Sequence, residues 1–578
     1  MDIENTASKG EPSRSTYWLT RFAILRLLGI IYAVAFLVAA NQILPLIGSH
    51  GLLPLNQFVA QVQDALGGTW PAFKRLPSIF WFNHSDTMLV ATAWIGFVLS
   101  CVVVAGYANA ILLTILWALY MSFVHLGQEW YGYGWEFQLL ETGFLAIFLC
   151  PLLDPRPFPR REPPQVIIWL FRALTFRIML GSGLIKIRGD PSWRDLTALY
   201  YHFETQPIPN GLSRWFHFLP RLALRGGTLF NHIAELVAPW FVFWPRLGRS
   251  LAGIIIVLFQ ITIILSGNLS FLNWLTIVPA LACFDDRFWL KLFPTIIVRP
   301  MELARTKAEP SRPMRTVSYA IAVLVAFLSI QPLINLVSRH QIMNTSFTSL
   351  DLVNTYGAFG TVGTERLNVV FEGNDSATPE IDGEWKPYLY KGLPVLLDRR
   401  PPQIAPYQLR LDWQMWFAAM ATPNEYPWTI HLIWKLLHND ATALSLFANN
   451  PFPQKPPRYV RAMLYRYKFV PPNDQGLWWE REELQPWLPP LSLDNPQLKE
   501  LLERARWLGE FSVLDSRFSI AAPTTRSLNT NHCSLFTSSL IRPNYLKPIP
   551  GSTVPVRTRH STNDMELLGP DPQLIRVN

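Results

Sequence analysis

Arg26, Glu141, Arg172, Arg177, Lys186 and Glu235 sit inside apolar stretches near the length that crosses a bilayer. Charged groups are costly there, and they face a bundle interior or water. Two chemistries are open to them: interhelical ion pairs that fix the packing, which is the default, or a polar cavity for a ligand or a reaction. His232 and Glu235 are three apart, so a helix places them on one face. His202 and Glu204 lie in the aromatic segment from Tyr200 to Pro209, just after Asp190 and Trp193 of the run GDPSWRD. A His and a Glu are types that serve as an acid/base pair, although such a pair in an aromatic loop is more commonly structural.

Stronger catalytic signatures are missing. Ser182 and Lys186 are four apart rather than the three of a Ser/Lys nucleophile, and no G-x-x-x-x-G-K-[ST], H-E-x-x-H or G-x-S-x-G string occurs. The four cysteines, Cys101, Cys150, Cys283 and Cys533, are too scattered for a disulfide framework or a thiolate zinc site. No catalytic residue, metal or cofactor is therefore assigned.

The elements that must position these groups are membrane helices. Of 578 residues 50% are hydrophobic and 16% charged, against roughly 25% charge in soluble chains. A crossing needs about 20 mostly apolar residues, and about nine stretches qualify: 22–40, 86–105, 107–126, 135–153, 165–187, 228–245, 248–267, 270–285 and 316–337. With the N-terminus cytoplasmic, the basic loops carrying Arg156 to Arg161, Arg246, Arg249 and Arg287 to Arg315 fall inside, as the positive-inside rule requires. The same rule accounts for the net charge of +9 without invoking nucleic acid.

Four regions are expected: a disordered cytoplasmic arm over 1–16, a transmembrane helical domain over 17–340, an extracytoplasmic α+β domain over 341–510, and a disordered tail over 511–578. In the third, 367–373, 385–390 and 458–469 read as strands, and 411–420 and 431–447 as helices. Its aromatic and arginine residues either pack a core or offer an apolar surface to a protein chain. Arg410, Trp413, Trp416, Arg461, Tyr465 and Tyr467 are the candidates for that surface. Asn83, Asn344 and Asn374 head glycosylation sequons on segments expected outside.

Several runs resemble the lipase maturation factor family: the first span with its loop, WEFQLLETGFLAIFLCPLL, GLIKIRGDPSWRDLTALYYHFETQPIPN, FNHIAELVAPW, SGNLSFLNWLTI, RLDWQMWFAAM, NNPFP, and RYVRAMLYRYKF followed by WWEREE. The resemblance covers roughly 17–492. It implies a polytopic membrane protein of the endoplasmic reticulum, with a cytoplasmic N-terminus and a lumenal C-terminal domain that helps secreted lipases fold and dimerise. In a prokaryote the membrane would be the inner one. Lipase clients and membrane lipid are the expected partners. The membrane half is also distantly similar to the helical region of vitamin K-dependent carboxylase, which keeps a membrane enzyme using the intramembrane polar residues as the alternative.

Overall fold

Apolar sequence in a bilayer must satisfy its backbone internally, and helices do this segment by segment. The computed structural model describes residues 15–377, 384–472 and 476–507. The N-terminal arm up to residue 14 and the tail from 511 lie outside the described residues. Among the described residues five helices are long and apolar enough to cross a membrane: Trp18–Ile47, Asp86–Ala105, Gln165–Gly189, Arg246–Ser266 and Arg312–Val337. Ser85 opens the second as a side-chain cap, accepting from the N–H of Met88.

The count of nine spans is not supported. The remaining four stretches form shorter or interrupted helices, for local reasons. Ala110–Leu126 has 17 residues, starting at the Asn109 cap and ending before Gly127. Gly134–Ile147 has 14, stopping short of Pro151, whose ring disfavours helix in the residue before it. Leu272–Ala280 carries Pro279 and tightens into the 3-10 turn Leu281–Cys283. Over 228–245 the helix Arg221–His232 widens into a π-turn, Ile233–Val237, before Ala238–Phe241. Pro239 has no N–H to return to the carbonyl four residues back, and the π-turn absorbs that missing bond.

The first helix is central: it packs along Asp86–Ala105 and against Leu272–Ala280. Gly143 on Gly134–Ile147 lets the Tyr32 hydroxyl of the first helix approach so closely that a Cβ would clash with it.

A four-stranded antiparallel sheet follows, in the order β2-β1-β3-β4. Its strands are β1 Arg366–Asn374, β2 Lys386–Pro387, β3 Tyr459–Phe469 and β4 Trp479–Leu491. β1 and β3 pair from Arg366↔Tyr467 to Asn374↔Tyr459. The strand expected over 385–390 shrinks to β2 and a bridge between Tyr390 and Phe447. The helix expected over 431–447 is instead Trp428–Leu437 and Ala441–Leu444. Asn439 turns through a positive φ of 54° between them, and Asp440 caps the second piece. β4 has no counterpart among the expected strands, because its Glu-rich, proline-bearing sequence lacks the alternation of a half-buried strand.

Candidate functional site

Of the charged groups expected within the apolar stretches, Glu141, Arg177, Lys186 and Glu235 enter buried centres that join elements far apart in the chain. Arg172 instead donates to the Ala282 carbonyl and the Tyr17 hydroxyl, and the half-buried Arg26 to the Gly106 carbonyl. The first is built on Lys186, in the last turn of Gln165–Gly189. Its Nζ donates to both carboxylate oxygens of Glu235, at 2.6 and 2.7 Å, and to Asn231 Oδ1 at 3.0 Å. Asn231 Nδ2 donates in turn to Glu235 Oε2 at 3.0 Å. The Trp193 ring lies 4.9 Å from the ammonium, in cation–π range, and its Nε1 donates to the carbonyl of Phe359 at 2.9 Å. A lysine ammonium has three donors, and here all three have acceptors. This geometry suits a clamp between helices; an amine nucleophile or base needs a free lone pair and access, whereas Lys186 is 4% exposed.

The second centre holds Glu141 and Arg177, which form a direct ion pair. Glu141 Oε2 also accepts from the Tyr356 hydroxyl at 2.6 Å and from the backbone N–H of Asn354 at 3.0 Å, while Arg177 donates to the Asn354 carbonyl at 3.0 Å. In the third, Arg410 meets Glu136 at 3.0 Å, donates to the Trp130 carbonyl and lies 3.5 Å above the Tyr131 ring; Tyr120 donates its hydroxyl to Glu136.

His202 and Glu204 are two apart on the short helix Leu199–Thr205 and therefore do not face each other. The structure separates them: His202 meets the edge of Phe359 at 5.0 Å, while Glu204 accepts from the N–H of Phe469 at 2.7 Å. Burial, helped by the nearby Lys186 charge, pushes His202 down to about 4, and burial raises Glu204. They are thus not an acid/base pair. His232 and Glu235 diverge too, because His232 Nε2 sits 2.9 Å from the Trp193 carbonyl. Asp190 caps Ser192 at 2.8 Å and accepts from the N–H of Val362 at 3.0 Å. Arg366 of β1 donates to the carbonyls of Glu204, Gln206 and Pro207 at 2.9, 2.6 and 3.1 Å; burial brings it down to about 9. Among the described residues no three His, Cys, Asp or Glu side chains converge to hold a metal ion.

The model described as the lipase maturation factor transmembrane domain matches residues 19–291, and that described as the lipase maturation factor C-terminal domain matches 352–489. Lipase maturation factor 1 of Bos taurus is 49% identical over 512 residues, covering 84% of this chain and 91% of its own. The Homo sapiens protein of that name is 45% identical over 505 residues, covering 83% and 89%. The chain belongs to the lipase maturation factor family. Lipase maturation factor 2 of Rattus norvegicus is a more distant relative, 29% identical over 597 residues and covering 82% of this chain and 83% of its own. No solved structure matches.

The two regions that the lipase maturation factor models match are those the buried centres tie together: Glu136 and Glu141 lie in one, Arg410, Asn354 and Tyr356 in the other. The six residues expected to form a client surface do not make an exposed patch. Arg410, Trp413, Tyr465 and Tyr467 are buried. Tyr465 and Tyr467 donate their hydroxyls to Glu372 and to the Val395 carbonyl, at 2.8 and 3.1 Å. Trp416 and Arg461 are half-buried, donating to the Thr205 carbonyl at 3.0 Å and to Glu372 at 2.7 Å. Of the three sequon asparagines Asn83 is exposed, Asn344 half-buried and Asn374 fully buried.

Two organising residues, Asn231 and Asn268, are not among those the sequence singles out. Asn231 could have been found, one helical turn before Glu235 in FNHIAELVAPW. Asn268 could not: its Nδ2 donates to the carbonyls of Pro209 and Pro402 at 3.1 and 2.8 Å, and its Oδ1 accepts from Ile404 and Ala405 at 2.8 and 2.9 Å.

Proposed function

We propose that this chain is a membrane-embedded maturation factor for secreted lipases, acting by binding and holding its clients rather than by catalysis. The observation that carries this reading is identity of 45–49% to proteins named lipase maturation factor 1 across 83–85% of the chain. The engagement of Lys186, Glu235, Glu141 and Arg177 with one another and with backbone supports a structural part for the intramembrane charges, and so favours a folding factor over a membrane enzyme.

The membrane is that of the endoplasmic reticulum, with the N-terminus cytoplasmic. The five long helices make an odd number of crossings, which carries residues 341–510 to the lumen. With the six candidate anchors largely internal, the client surface on this domain includes the exposed Leu396, Met420 and Leu501, and its contacts promote lipase dimer assembly. The test is co-expression with a dimeric secreted lipase in cells lacking their own factor, measuring secreted lipase activity per mass of lipase. A rise supports the reading; no rise with a correctly inserted protein overturns it.

A further inference from the structure

The segment between the fourth and fifth long helices is strongly basic and partly apolar. From 288 to 315 it carries Lys291, Arg299, Arg305, Lys307, Arg312 and Arg315 against Glu302 and Glu309, and the six cations are exposed. Within it lies the helix Thr295–Thr306. At 100° per residue its surface divides into three stripes. Met301 and Ala304 are buried, packed on Trp18, Leu19 and Phe158. Ile296 and Leu303 share a second stripe, yet they are 80% and 59% exposed, and Leu292 just before the helix is 63% exposed. Arg299, Glu302 and Arg305 occupy the third.

Depth decides what covers the apolar stripe. Trp18 and Leu19 are the first turn of the first membrane helix, and Arg312 begins the last one. A helix resting on that first turn therefore lies at the level where the spans leave the hydrocarbon. Large side chains exposed at that level, beside a net positive charge, are what an in-plane interfacial helix presents to lipid. We propose that Thr295–Thr306 lies in the membrane surface as a docking site for acidic phospholipid, with Leu292, Ile296 and Leu303 at the acyl boundary and Arg299, Arg305 and Lys307 meeting headgroup phosphates. This assignment is independent of the lipase client.

The test uses the full-length chain in vesicles of phosphatidylcholine, with and without phosphatidylserine. An environment-sensitive dye is placed on Ile296→Cys in a chain carrying C101S and C533S, and amide hydrogen exchange over 291–307 is followed in the unmutated chain. Expected are a blue-shifted emission and severalfold slower exchange when phosphatidylserine is present. Both effects should be lost in the R299Q/R305Q/K307Q variant. Equal emission and exchange in the two lipids, or the same response to inorganic phosphate over phosphatidylcholine alone, would overturn the proposal.

Discussion

Arg410 and Glu136 face each other at 3.0 Å with neither side chain exposed, one from the helix Arg410–Ala418 and the other from Gly134–Ile147. Two charges removed from water are costly, and their attraction repays this only while both are present and further hydrogen bonds help. Here Tyr120 and the Trp130 carbonyl supply those bonds. Arg410→Met or Glu136→Gln alone should therefore destabilise the protein by about 3–5 kcal/mol. The paired change to Met and Leu should recover most of this, and thermal unfolding in detergent reads the difference. A double variant no better than the worse single one would remove the pair from its stabilising role.

Lys186 and Glu235 distinguish packing from catalysis. As a clamp, Lys186→Met and Glu235→Gln should each lower steady-state abundance, because each leaves a buried group uncompensated. The double variant Lys186→Met with Glu235→Leu should accumulate again and keep normal lipase activation per molecule. Quantitative immunoblotting beside a secreted-lipase assay provides both numbers. A double variant that accumulates fully yet is inactive would revive the membrane-enzyme reading.

The ties crossing from 17–340 to 341–510 give a third expectation. Residues 1–340 expressed alone leave Glu136 without Arg410 and Glu141 without Asn354 and Tyr356, so this half should be degraded. Co-expression of 341–578 behind its own signal peptide should rescue its abundance, measured by pulse-chase. An unassisted, stable half would show these contacts to be dispensable.

That interlocking explains how much was legible in the sequence. Composition and span length announce the membrane half, a short run between turn residues announces β1 and alternation announces β3, because these signals are local. Which charge meets which is set by contacts hundreds of residues apart, so Glu141 and Lys186 were visible as anomalies while Tyr356 and Asn268 were not. The proposed client set erred for a related reason: Trp and Tyr density is the same whether rings line a core or a surface. Tyr467, with no exposure, shows which applies here. β4 carries no strand signal of its own, because prolines and glutamates are tolerated on an edge strand.

Asp412 gives a prediction in pH. Burial raises it from 3.8 to about 6, against the N–H groups of Leu393 and Gly392 that bond its carboxylate. Between those values the folded protein holds a proton that the unfolded chain has released. Stability is therefore fully present below about 4, falls as pH rises through about 6 by on the order of 3 kcal/mol, and is flat above. Asp412→Asn can still accept both backbone bonds but does not titrate. Unfolding temperatures of the two proteins from pH 4 to 7 should show the native chain losing ground to the variant up to pH 6. Parallel curves would mean that Asp412 does not carry the slope.

Glycosylation reports orientation. Asn83 is exposed three residues before the helix Asp86–Ala105, with its Oδ1 accepting from the N–H of Ser85 at 3.0 Å. Asn374 ends β1 with no exposure, its Oδ1 held by the N–H of Ser376 at 2.7 Å. A glycan has room on the first and none on the second in the folded chain. If the segment before Asp86 is lumenal, Asn83→Gln should remove an endoglycosidase-sensitive shift in gel mobility, while Asn374→Gln leaves the shift intact. No shift in the native chain, together with a glycan on a sequon engineered into 288–315, would reverse the orientation and place the basic segment in the lumen.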